Sequence, residues 1–81
     1  MDDRQIQEQI SSMIETEKAL RDRFAAGEIS AAEEHAELAR IEVALDQAWD
    51  LLRQRRARRE FGEDPDAASE RPAHVVENYL D

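Results

Sequence analysis

Cysteine is absent from the 81 residues, which removes disulfide staples, thiolate metal sites and cysteine nucleophiles together and leaves the redox compartment open. Glycine and proline are nearly as scarce, with two of each. They fall at Gly27, Gly62, Pro65 and Pro72, so the stretch from Glu28 to Phe61 contains no helix breaker. Aromatic residues make up 5% of the chain and none lies among its arginines, which argues against a base-stacking platform for nucleic acid. Long apolar runs are missing too. No segment approaches the roughly 18 consecutive apolar residues of a membrane span, and the opening Met1-Asp2-Asp3-Arg4 leads into no apolar run, unlike an ordinary secretory signal. Cytoplasm is therefore the expected compartment. Nucleophile motifs, metal-ligand spacings and phosphate loops are likewise lacking, so the expectation is a protein that is not an enzyme and takes no cofactor.

What is present is charge, unevenly placed. The net charge is −9. Residues 1–27 carry −2, residues 28–52 carry −6, residues 53–59 carry +5 and residues 60–81 carry −6. A field of this overall sign repels nucleic acid and anionic membranes at long range, while a local cationic patch still acts within a Debye length of about 8 Å.

The apolar residues are placed at helical spacing. Ile6, Ile10, Met13, Leu20 and Phe24 recur in alternating four- and three-residue steps, interrupted only by Glu17, as a seam along one helix. Gly27 stands where a helix C-terminus wants positive φ, and Ser30-Ala31-Ala32-Glu33 reads as a capping box opening a second helix. The second stripe holds His35, Leu38, Ile41, Leu45, Ala48, Trp49 and Leu52. The intervening Gly27-Glu28-Ile29 is short enough to force an antiparallel hairpin, with helices over about 3–26 and 30–61. Facing residues then have numbers that sum to 57 or 58, which sets Met13 against Leu45, Ile10 by Ala48 and Trp49, Ile6 by Leu52, and Asp2 and Asp3 beside Arg55 and Arg56. Residues 62–81 read as an acidic, mostly irregular tail, with a linker over 62–72 and apolar spacing that suits a short helix over 73–80. The expected fold is thus all-α, a coiled-coil-like hairpin in residues 1–61. A chain of this size buries little apolar surface alone, so two hairpins are expected to pair as a four-helix bundle, a homodimer joined through Ile14 and Leu51.

Arg53, Arg55, Arg56, Arg58 and Arg59 form the candidate partner-binding site. Their guanidinium groups suit an acidic protein partner, phosphate or nucleic acid. A second reading pairs them with Asp2, Asp3, Glu60, Glu63, Asp64 and Asp66 as a solvated helix end, where cations also complement the helix dipole. Trp49 is expected in the core, with its indole N–H at the edge. Glu17 and Glu42 lie near the seam, where they suit register or partner choice through Arg21 or Arg40. Carboxylate-bridged metal bundles use Glu-x-x-His, and neither His35 nor His74 has a glutamate three residues earlier. His35 is expected half-buried near the turn and His74 exposed.

Three stretches carry a family resemblance: Leu20-Arg21-Asp22-Arg23 with Ala26-Gly27-Glu28-Ile29-Ser30, the run Leu45 to Arg59, and Val75-Val76-Glu77-Asn78-Tyr79-Leu80. Together they resemble a small actinobacterial family of unknown function, DUF 2630, which implies no activity and no catalytic residues. Leu20 to Leu45 is also similar to the short helical SHOCT module, and that likeness implies oligomerisation or interaction. The function expected from all this is a non-catalytic interaction or assembly protein that self-associates and presents its arginine end and tail to a protein partner. The alternative is a regulator contacting nucleic acid or the transcription machinery through Arg53 to Arg59.

Overall fold

The computed structural model describes residues 1–80, with side-chain surroundings as far as Val76. Helix α1 (Asp3–Ala25) and helix α2 (Ala31–Glu60) are followed by a single 3-10 turn (Pro65–Ala67) and helix α3 (Ala73–Leu80), with no strand among the described residues. None of these helices is long and apolar enough to cross a membrane.

Each long helix starts and stops on local chemistry. At the start of α1, Asp2 accepts from the Gln5 backbone N–H and its own N–H donates to the Gln5 side chain, both at 2.9 Å. Ser30 and Glu33 make the same reciprocal pair at the start of α2, at 3.1 and 3.2 Å. Both helices end in the same glycine motif. Gly27, at φ 76°, lets its N–H reach the Phe24 carbonyl at 3.0 Å and the Glu28 N–H reach that of Arg23 at 2.9 Å. Gly62, at φ 71°, repeats this with Arg59 and Arg58. These six-to-one and five-to-two bonds satisfy carbonyls the helix leaves without a partner, and only glycine enters that φ region without strain.

The two helices run antiparallel. Ile6, Ile10 and Ala48 form the buried cluster, with Met13, Leu45, Leu51 and Leu52 packed against it. The meeting of Ile6, Ile10, Ala48 and Leu52 in one cluster and the ion pair of Asp3 with Arg55 agree with the register read from the hydrophobic spacing. Three stripe residues depart from it: Trp49 is 46% exposed, Phe24 is 42% exposed and His35 is exposed rather than half-buried. The reason is angular. One residue turns the helix by about 100°, so with Ala48 turned into the hairpin its neighbour Trp49 is carried out of it. Phe24 and His35 lie near the tip, one in the last turn of α1 and the other in the second turn of α2.

In the tail the short helix expected over 73–80 is present as α3, and the 3-10 turn makes the segment less irregular than expected. The tail is laid back along α2 as a third layer, with both the 3-10 turn and α3 packed on that helix. Val76 of α3 is fully buried. The layer is bonded to the α2 stripe of Gln47, Asp50 and Gln54. Leu51, expected free on the flank, is half-buried and packed against the Ile6, Ile10 and Ala48 cluster, while Ile14 is 49% exposed.

Candidate functional site

The five arginines split into two groups with different work. Arg55, only 5% exposed, sits where α1, α2 and the returning tail meet. Its Nε donates to Asp3 Oδ1 at 2.5 Å, and its Nη1 donates to the Pro65 carbonyl at 3.2 Å and to Asp66 Oδ1 at 2.9 Å. Arg59 grips the same Asp3 by donating from its two terminal nitrogens, Nη1 to Oδ1 at 3.1 Å and Nη2 to Oδ2 at 2.5 Å. Arg58 reaches Glu63 at 3.4 Å. Three arginines are thus engaged inside the chain, on acids that the second sequence reading named. Arg53 and Arg56 are exposed and have no ion-pair partner among the described residues.

Asp3 is held by geometry as well as charge, since it stands in the first turn of α1, where the helix dipole favours an anion. The Arg59 and then the Arg55 guanidinium lower its pKa from 3.8 to about 2. A carboxyl whose folded pKa is depressed stabilises the fold above its unfolded pKa, and that contribution is lost as pH falls toward the folded value. Its side chain is 34% exposed, so solvent screening reduces the benefit to about 1 kcal/mol. Wild-type protein is therefore expected to exceed Asp3→Asn by that amount in urea unfolding at pH 7, with the gap closing between about pH 4 and pH 2. A gap unchanged down to pH 2 would mean that the ion pairs contribute nothing.

Beside this junction lies an open groove lined by Asp3, Gln7, Trp49, Leu52, Arg53, Arg56 and Arg59. Arg53 and Arg56 stand one and two turns beyond Trp49 on the same side of α2. A large indole face beside two unpaired guanidinium groups can take a carboxylate-bearing, partly apolar surface.

A second polar constellation holds the tail. Asp50 is 1% exposed and accepts from Arg71 Nε at 2.9 Å, from Arg71 Nη2 and from Gln54 Nε2 at 3.0 Å. The Arg71 guanidinium, with Gln54 second to it, holds the Asp50 carboxyl below its ordinary pKa despite burial. Gln47 and Gln54 donate to the Arg71 and Ser69 carbonyls at 3.3 and 2.8 Å. Sequence reasoning missed this set. Its trace is the polar stripe Gln47, Asp50, Gln54, at steps of three and four on an otherwise apolar flank of α2. The remaining candidates do not converge. Glu17 pairs with Arg21 at 2.7 Å on its own helix, Arg40 pairs with Glu37, and among the described residues no three acidic or histidine side chains could hold a metal ion.

The sequence matches the family described as "Protein of unknown function (DUF2630)" over residues 2–81, so the family resemblance read from the residues holds for almost the full chain. Uncharacterized proteins of Mycobacterium bovis and of Mycobacterium tuberculosis strain H37Rv are each 54% identical to it over 70 residues, which cover 86% of this chain and 80% of theirs. No solved structure matches it.

Proposed function

The chain belongs to the DUF2630 family, whose function is unknown, and from its geometry we propose a small non-catalytic interaction and assembly protein that works through the open face of its hairpin. The observation that carries this reading is Trp49, 46% exposed beside Arg53 and Arg56, two cations with no ion-pair partner among the described residues. Isolated exposed apolar residues are ordinary, but a bulky aromatic flanked by unpaired arginines is the composition of interface centres. The arginine end is narrower as a partner surface than its sequence suggests, because Arg55, Arg58 and Arg59 are committed to carboxylates of the chain. The same commitment weakens the nucleic-acid alternative, which is left with two arginines on a chain of net charge −9.

A photo-crosslinking amino acid placed at position 49 in the producing cell tests the reading, with position 16, on the opposite flank of α1, as control. Discrete protein adducts are expected from position 49 and not from 16, and they should vanish when Arg53→Glu and Arg56→Glu are added. Absence of any protein adduct at 49, or adducts to nucleic acid alone, would refute it.

A further inference from the structure

We infer that the occupant of this open face is a second copy of the chain, laid antiparallel along α2 with a two-fold axis at the level of Trp49. The inference rests on the interaction reading above and adds the partner and the register.

The first support is the incomplete layering. The tail is bonded to α2 through Gln47, Asp50 and Gln54, away from Trp49, whose groove is lined by α1 and α2 residues. The molecule measures 51 × 25 × 15 Å. On the Trp49 side of the helical wheel Leu38, Ile41 and Leu45 stay half-buried and Ile14 is 49% exposed. A second hairpin on that side supplies the missing layer.

The second support is the charge pattern around Trp49. Glu42 and Asp46 lie seven and three residues before it, and Arg53 and Arg56 lie four and seven after it. All four fall with Trp49 within an arc of about 80° on α2. None is within ion-pair distance of an opposite charge among the described residues. In an antiparallel pair of α2 helices crossing at Trp49, facing positions have numbers summing to 98 or 99. Glu42 then meets Arg56 of the second copy, Asp46 meets Arg53, and the two indoles meet at the axis. Two-fold symmetry makes each charge pair twice. A parallel copy would instead place acid on acid and arginine on arginine. The repulsion between two chains of net charge −9 is screened beyond about 8 Å, so the short-range pairs decide the register.

Sedimentation equilibrium on the purified chain tests this, with helicity followed by circular dichroism. The wild type is expected at twice 9.3 kDa. Glu42→Arg and Arg56→Glu, both on exposed positions, should keep wild-type helicity and each weaken association at least about tenfold, since each sets like charges face to face. An equimolar mixture of the two variants should associate again. One copy then carries arginine at both positions and the other glutamate at both, so each of the two contacts again sets a base against an acid. A wild type that stays monomeric at about 1 mM would overturn the inference. So would a dimer indifferent to both reversals, which would be built on another surface. If position 49 crosslinks only to a different protein while the purified chain is monomeric, the second copy is refuted and the interaction reading stands.

Discussion

Arg71→Ala is expected to cost about 3 kcal/mol of folding stability. Asp50 is 1% exposed, and its carboxylate is tolerated there because Arg71 and Gln54 donate to it. Removing the arginine leaves a buried charge with the Gln54 amide as its one side-chain donor among the described residues, and breaking a buried pair in this way costs roughly 3–5 kcal/mol. The lower end applies, since the Arg71 side chain is itself 35% exposed and water can follow it in. In a domain of this length 1 kcal/mol moves the midpoint by about 4–8 °C, so the variant should melt at least about 12 °C below the wild type. Replacing both partners, Asp50→Leu with Arg71→Leu, should recover much of the loss, because the desolvated charge disappears together with its counter-ion. Thermal and urea unfolding followed by far-ultraviolet circular dichroism check both variants. If Arg71→Ala melts with the wild type, the tail is not held against α2 in the way described.

Arg55→Ala is expected to cost about 2 kcal/mol, less than Arg71→Ala although Arg55 is the more buried arginine. The groups it leaves behind explain the order. Asp3 keeps Arg59, and the Asp66 side chain is 72% exposed, so neither carboxylate is stranded out of water. What is lost is the bond to the Pro65 carbonyl, the charge-assisted pair at 2.5 Å and the packing of the arginine stem. Arg55→Met should recover the packing part. Because Arg55 bonds to both α1 and the 3-10 turn, limited proteolysis within 62–72 should also quicken in Arg55→Ala. Arg53→Ala and Arg56→Ala should stay within about 0.5 kcal/mol of the wild type when unfolding is compared at concentrations low enough to keep every chain monomeric, as substitutions at exposed positions without an ion pair inside the chain do. Equal losses from all five arginine variants would remove the division between structural and outward-facing arginines.

The sequence by itself determined what depends on near neighbours. Ser30 with Glu33, Gly27 and the three- and four-residue apolar spacing specify where the chain coils, turns and coils again, because caps, positive φ and amphipathic stripes act within a few residues. The antiparallel register followed from the shortness of the turn. Tertiary structure alone decided how the charged and aromatic residues were used. Whether Arg55 or Arg56 is buried depends on a rotation of about 100° between adjacent positions. Asp50 finds Arg71 across 21 residues, a contact that no local spacing specifies, whereas the Arg55–Asp3 pair across 52 residues follows from the antiparallel register read in the sequence. Trp49 faces water because Ala48 takes the inward position, and Leu51 is half-buried because it packs against the Ile6, Ile10 and Ala48 cluster. A stripe wide enough to contain all these residues is legible in one dimension; which part of it meets α1, the tail or solvent is set by the packing of three layers, where a rotation of one residue exchanges a core position for an open one.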